Sequence, residues 1–311
     1  MDLGYGGLRM EVDPAAPHNR FLDLLARGGP ILADGGMGTL LMGAGLEPGE
    51  APETWNLRPD RRERVKAVHV GYLDAGAAIV LTNTFGASPI RLEVHGLADR
   101  AADMNRAAAE LAREVAGPDA VVAGSMGPVG AFLEPLGPLT PEEARAAFAV
   151  QASALAAGGV DVLWIETMAD LGELTAAVEG ARRAAPHLPI VTTMTFDSHG
   201  RTMMGTWPAD AARALRALGV VALGANCGTG PAEIEGAIVA MHEVAADATL
   251  VAKGNAGVPR FVGAGPVYDT TPEMSAEHAR RVRDLGATII GGCCGTTPAH
   301  IQAMAEALRA G

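Results

Sequence analysis

Short apolar runs bounded by Gly, Pro, Asn or Asp recur eight times along this chain, at residues 31–33, 78–81, 121–124, 162–165, 190–195, 220–224, 249–252 and 288–290, and each is followed by a helical pattern. The runs are continuous rather than alternating, as expected of strands buried on both faces in a parallel sheet covered by helices. Eight strand–helix units in series predict an α/β fold, a single (β/α)8 barrel with its site at the C-terminal ends of the strands. An open doubly wound sheet is the fallback. Against it, no Gly-x-Gly-x-x-Gly follows the first strand, and the glycine-rich stretches are spread over several strand ends. The clearest helices are 61–75, 141–157, 171–184, 231–245 and 298–308, and Thr140 with Glu143 forms a capping box ahead of the second. No repeat, low-complexity linker or composition shift marks a second domain. Residues 1–20 read as an N-terminal leader and 21–311 as the barrel.

Hydrophobic residues make up 49% of the chain and aromatic residues 4%, which suits many small-residue helices packed on strands. A net charge of −12 argues against nucleic-acid or anionic-membrane surfaces, which need clustered Lys and Arg. The first residues have neither a basic start nor an apolar core, and no apolar run is long enough to span a bilayer. A cytoplasmic, reducing location is therefore expected. Three cysteines, an odd and low count, fit that compartment and favour metal or catalytic use over a disulfide framework.

The strand ends are polar. They read Asp34-Gly35-Gly36-Met37-Gly38-Thr39, Thr82-Asn83-Thr84-Phe85, Ser125-Met126-Gly127-Pro128, Glu166-Thr167-Met168, Asn226-Cys227, Asn255-Ala256-Gly257 and Cys293-Cys294. In a closed barrel these groups converge on one rim. All three cysteines fall at ends six and eight, so they read as a zinc site with three sulfur ligands and one open corner, the mark of a catalytic zinc. Neighbours on a regular strand point to opposite faces, so the strand must break at Cys293 and Cys294; Gly291, Gly292 and Gly295 are expected to supply the freedom. The bland alternative is buried thiols or a vicinal disulfide. Glycine-rich ends fit tight turns or a phosphate nest. Asp34 and Glu166 fit structural acids or a pair holding a substrate ammonium group. His69, His278 and His300 read as solvated helix residues, His242-Glu243 lacks the second histidine of a zincin pair, and no Ser, His and Asp set presents itself.

Zinc with three thiolates carries a net charge of −1, a poor activator of water but a good holder of a further thiolate. A free thiol has a pKa of about 8.5, and coordination deprotonates it. A bound sulfur can then attack an electrophilic methyl group without a protein base.

Asp34-Gly-Gly-Met-Gly-Thr39, Thr82-Asn-Thr-Phe85, Gly124-Ser-Met-Gly-Pro128, Ile165-Glu-Thr167, Asn226-Cys227, Gly254-Asn-Ala-Gly257 and Gly291-Gly-Cys-Cys-Gly-Thr-Thr-Pro298 occur in order. Together they resemble the homocysteine S-methyltransferase family from about residue 21 to the C-terminus. The resemblance implies a zinc-dependent barrel that makes methionine from homocysteine. It implies Cys227, Cys293 and Cys294 as zinc ligands, Asp34 and Glu166 as receivers of the homocysteine amine, and Gly35, Gly36 and Thr82 as pocket lining. Asn255 is similar to the neutral oxygen ligand that some members place in the fourth position until substrate displaces it.

The family branches on its methyl donor. The betaine branch typically has tyrosines where this chain has Gly86 and Thr167, and Trp55 would leave only one aromatic ring for a quaternary ammonium group. Thr82–Phe85 and Ile165–Thr167 are more similar to the homocysteine module of cobalamin-dependent methionine synthase. The expected donor is therefore methylcobalamin presented by a separate corrinoid protein at the barrel mouth, since no folate or cobalamin module is found up to Gly311. Residues 124–130 also resemble members using S-methylmethionine or S-adenosylmethionine, so a sulfonium donor remains an alternative, as does betaine. Rivals from other classes are a non-catalytic zinc- or thiol-binding barrel and a phosphate-binding barrel enzyme with structural cysteines.

Overall fold

In the structure, a computed structural model, the eight apolar runs form one eight-stranded parallel sheet. Residues 18–310 are described, apart from 198, 263 and 264. The strands are β1 (Ile31–Leu32), β2 (Ile79–Leu81), β3 (Val121–Met126), β4 (Val162–Met168), β5 (Ile190–Met194), β6 (Ala222–Cys227), β7 (Leu250–Gly254) and β10 (Ala287–Gly292). Between the last two lies an antiparallel hairpin of β8 (Arg260–Val262) and β9 (Gly265–Val267). Neighbours run β1-β10-β7-β6-β5-β4-β3-β2. An Ala33–Ile79 bridge closes the ring, with Asp34 N donating to Ile79 O at 3.0 Å and Ala78 N to Leu32 O at 2.8 Å. The expected (β/α)8 barrel is the observed architecture, with the hairpin inserted before its last helix–strand pair.

Strand alternation sorts the side chains into two layers. Leu32, Val80, Val122, Leu163, Ile165, Leu223, Leu250 and Ile290 face the helices in the larger core cluster. Ile31, Ile79, Val121, Val162, Trp164, Val191, Val251 and Ile289 fill the barrel interior, and Phe21 packs with them. Each fully buried Val, Leu, Ile or Phe contributes roughly 1.5–3 kcal/mol. Continuing the inward parity toward the C-terminal ends gives Ser125, Glu166, Asn226 and Lys253, all buried. The interior therefore changes from apolar to polar along β3, β4, β6 and β7. For this reason most strands extend past the apolar runs: the residues where hydropathy stops are still in the ladder.

The helices Pro141–Ala157 and Leu171–Ala184 match their expected bounds. The Thr140 capping box is present, with Glu143 N donating to Thr140 Oγ1 at 3.2 Å and Thr140 N to Glu143 Oε2 at 2.9 Å. Of the expected leader, residues 1–17 lie outside the described residues; Asn19 caps the helix Arg20–Ala26 and binds Asp161 O through Nδ2 at 2.8 Å.

The histidine expectation is corrected: His69, His278 and His300 are all buried. His278 Nδ1 meets Glu235 Oε1 at 2.8 Å. His300 closes the cap of the helix Pro298–Arg309 through Thr297 and reaches Thr270 O at 2.9 Å. Burial holds His69 neutral, its pKa lowered to about 4. Such helices pack between neighbours, so a helical histidine need not face water.

Candidate active site

Cys227 is the last residue of β6, and Cys293 and Cys294 follow β10 directly. Their three sulfurs lie within 4.8 Å of one another, and all are free thiols. A tetrahedral zinc with Zn–S of about 2.3 Å needs sulfurs about 3.8 Å apart, so the donor set fits the ion with a tightening of at most about 1 Å.

Backbone geometry brings the sulfurs together. Cys227 takes φ +64°, a left-handed conformation uncommon for a side-chain-bearing residue, and Gly228 follows at +71°. After Cys293 the chain turns, with Thr296 N and Oγ1 both donating to Cys293 O, at 3.2 and 2.7 Å. Of the three glycines expected to supply the break, only Gly295 does so, at φ +81°. Gly291 and Gly292 remain in register with Lys253 and Gly254. They are small for another reason: a Cβ at Gly292 would lie 2.2 Å from Thr296 Oγ1, and one at Gly291 2.9 Å from Asp34 O.

The end of β7 braces both cysteine loops. Cys293 N donates to Gly254 O at 2.8 Å, Cys294 N to Asn255 Oδ1 at 3.0 Å, and Asn255 Nδ2 to Gly228 O at 2.8 Å. Asn255 thus ties the two loops together beside the thiol cluster. The thiols hold their protons. For Cys227 the contact with Cys293 lowers the pKa, but Cys294 and burial outweigh it and leave it at about 11; Cys294, lowered by Cys227 and raised by Cys293, stands at about 12. Cys293, in contact with Cys227, is raised as well. A cation is the natural partner of such a cluster.

On the other side, Asp34 follows β1 and Glu166 lies in β4, both buried. Their surroundings differ. Asp34 Oδ1 accepts from Lys253 Nζ at 2.6 Å and Oδ2 from Leu81 N at 2.7 Å. Glu166 Oε1 accepts from Ser125 Oγ at 2.5 Å, while Oε2 has only a long 3.4 Å contact from Asn226 Nδ2. Burial raises both carboxyl pKa values, and the Lys253 charge is the foremost influence pulling each back. Asn226 links the two sides: its Oδ1 accepts from Thr167 N at 2.8 Å and Thr193 Oγ1 at 2.7 Å, and its Nδ2 lies 3.9 Å from Cys293 Sγ. Those bonds hold Thr167 at φ +62°.

Gly35 and Gly36 pass beneath the cysteine turn. A Cβ at Gly35 would lie 2.4 Å from Thr296 Oγ1, and one at Gly36 2.8 Å from Cys293 O. Tyr72 supports this crossing, its hydroxyl donating to Thr296 O at 2.9 Å and lying 3.1 Å from Gly36 O. Thr82 Oγ1 lies 2.6 Å from Thr84 Oγ1 and accepts from Ser125 N at 3.0 Å.

Three residues escaped the sequence reading. Lys253 sits one position past an apolar run, where a lysine ordinarily marks a strand's exit to solvent; the Asn226–Lys253 register is the signal that would have turned it inward. Tyr268 follows the hairpin, and its ring covers Gly295 so closely that a Cβ there would lie 2.2 Å from Cγ. Burial and the nearby thiols push its pKa to about 12. Tyr72 lies in a helix, where no strand-end rule points to it.

Residues 31–308 match the family model described as homocysteine S-methyltransferase. The chain is 36% identical to methionine synthase of Mycobacterium tuberculosis (strain ATCC 25618 / H37Rv) over 89% of its length, and 35% identical to that of Mycobacterium leprae (strain TN) over 96%. It spans about a quarter of those relatives, 24% and 26% of their lengths. The homocysteine methyltransferase MmuM of Escherichia coli is similar in structure: its oxidized form superposes with a TM-score of 0.77 at 27% identity, covering 93% of this chain and 99% of that one. The metallated form gives 0.76, covering 92% and 99%.

Proposed function

Because the chain belongs to the homocysteine S-methyltransferase family, we propose that it methylates homocysteine to methionine at the rim of its barrel. The observation that carries this reading is three free thiols within 4.8 Å at the ends of β6 and β10, facing a buried pair of carboxylates. Cys227, Cys293 and Cys294 would hold zinc, with Asn255 positioned beside them as a neutral oxygen donor. Zinc in that position supplies the positive centre that keeps a substrate thiol deprotonated near neutral pH. Glu166 receives the homocysteine amine beside Asp34, which Lys253 already pairs, and Gly35, Gly36 and Thr82 line the amino-acid pocket. The backbone ties from β7 fix where the sulfur lies, so the methyl group must arrive from the open mouth above it.

The donor in this reading is methylcobalamin carried by a separate corrinoid protein that docks at the mouth. In support, the similar methionine synthases are about four times the length of this chain, so in them the matching region is one part of a longer protein. A small sulfonium or other methylated cation is the second reading. A cavity of about 270 Å³ in the loops after β3, β4 and β5 favours it, lined by Phe132, Met203, Met204, Asp170 and Glu173. Betaine has less support: Trp55 is fully buried with Arg61 over its ring, 4.9 Å from the centroid. No helix among the described residues is long and apolar enough to cross a membrane. We place the protein in the cytoplasm on its three free thiols, which a reducing compartment keeps unpaired.

The test is methionine formation by zinc-loaded, anaerobically handled protein given homocysteine with methylcobalamin, and in parallel with S-methylmethionine. Turnover with the first that vanishes in Cys294→Ser supports the corrinoid reading; turnover with the second alone supports the sulfonium one. Zinc and homocysteine binding without turnover from any donor would identify a non-catalytic thiol-binding barrel instead.

A further inference from the structure

Lys253 is the only lysine or arginine among the buried residues described, 2% exposed. It rises from β7, where it is in register with Asn226 on one side and Gly291 on the other. Its ammonium reaches Asp34 Oδ1 at 2.6 Å and lies 5.7 Å from the centre of the Trp164 ring. Desolvating a lysine here is costly, and the hydrogen-bonded Asp34 carboxylate is its closest offset.

The pairing makes the two carboxylates unequal. Asp34 has a full internal cation and a backbone N–H, one on each oxygen. Glu166 has only neutral donors, one of them long. We propose that Lys253 is a specificity-determining positioning residue: by occupying Asp34 it leaves Glu166 as the one carboxylate of the pair with no cation hydrogen-bonded to it, so the pocket selects a thiol that carries one ammonium group. This deepens the homocysteine reading and rests on it. The charges sum correctly: Asp34, Glu166, Lys253 and one substrate ammonium together are neutral, whereas a thiol without the amine either leaves one buried charge unmatched or requires Glu166 to take up a proton.

Removing Lys253 alone leaves two carboxylates in one pocket. Such a pair draws in a proton of its own, whether or not the ligand has an amine, and preference for the amine shrinks. Removing Asp34 and Lys253 together restores a single carboxylate. The experiment is calorimetric binding of homocysteine and of its deaminated analogue γ-mercaptobutyrate to the zinc-loaded wild-type protein, Lys253→Met, Lys253→Arg and the double variant Asp34→Asn/Lys253→Met, with zinc content checked in each.

Wild type is expected to prefer homocysteine by about a hundredfold, and Lys253→Met to lose at least about tenfold of that preference, the scale of hydrogen bonds to charged groups. Lys253→Arg and the double variant should return to within about threefold of wild type. A preference unchanged in Lys253→Met, or lost as badly in the double variant, overturns the inference while leaving the functional reading intact. If Lys253→Met does not fold, the double variant decides by the same criterion. A wild type indifferent to the amine would sink both readings.

Discussion

The two halves of the candidate site are built on opposite terms. On the sulfur half, three thiols crowd within 4.8 Å, and no lysine or arginine hydrogen-bonds to them among the described residues; backbone amides fix the loops but leave the sulfurs without a cation. On the carboxylate half, Lys253, Leu81 N and Ser125 each donate to one of the four oxygens of Asp34 and Glu166 and leave Glu166 Oε2 with only a long contact. In the proposed reading the first half takes a divalent cation and the second a single ammonium group. A fold can thus prepare one cavity for two ligands of different charge by leaving different deficits at its two ends.

The contrast can be broken most severely from the sulfur side. Cys294→Ser should abolish stoichiometric zinc and reduce methionine formation by at least about a thousandfold, because the charge that activates the thiol is lost; metal analysis beside turnover checks both. Since the thiols hold protons at neutral pH, with Cys227 near 11 and Cys294 near 12, zinc uptake must displace them. Affinity should therefore weaken as pH falls, and calorimetry in buffers of different ionisation enthalpy will count the protons released.

Next in size, Lys253→Met should destabilise the metal-free protein by about 3–5 kcal/mol, the usual consequence of orphaning one member of a buried ion pair. Asp34→Asn/Lys253→Met should recover most of that loss in urea unfolding. Glu166→Gln should leave the fold nearly unchanged and raise the homocysteine KM by about tenfold to a hundredfold, with a smaller change in kcat. If KM stays put, the carboxylate half does not read the amine. The smallest effect sharpens the comparison from outside it: Thr140→Ala removes a helix cap remote from both halves and should lower stability by about 1 kcal/mol with homocysteine KM unchanged.

The sulfur half was readable from the chain because its residue type is scarce and its position regular. Three cysteines at strand ends, set among glycines, point to one place in a parallel barrel whatever the detailed geometry. The carboxylate half was readable only in part. Asp34 and Glu166 stand at strand ends like the cysteines, but nothing local distinguishes a carboxylate that waits for a ligand from one already paired across the barrel by a residue more than two hundred positions away. Lys253 was missed because hydropathy treats lysine as an exit signal, whereas inside a closed barrel the inward direction remains enclosed past the apolar zone. Gly291 and Gly292 carried a real signal that was assigned to the wrong cause: close packing against Thr296 and Asp34, with the turn itself left to Gly295. The histidines failed for a related reason, since helical periodicity does not say how many neighbours a helix has.

Phe21, the inner apolar layer and the Trp164–Lys253 pair together seal the barrel below the site. A chamber with one opening imposes a queue. In the proposed reading homocysteine would lie deepest, so it would have to enter before the methyl donor covers it, and methionine would leave only after the spent donor has gone. Initial-rate kinetics should therefore follow an ordered sequence with homocysteine first and methionine last, and product inhibition by methionine should be competitive with homocysteine and not with the donor.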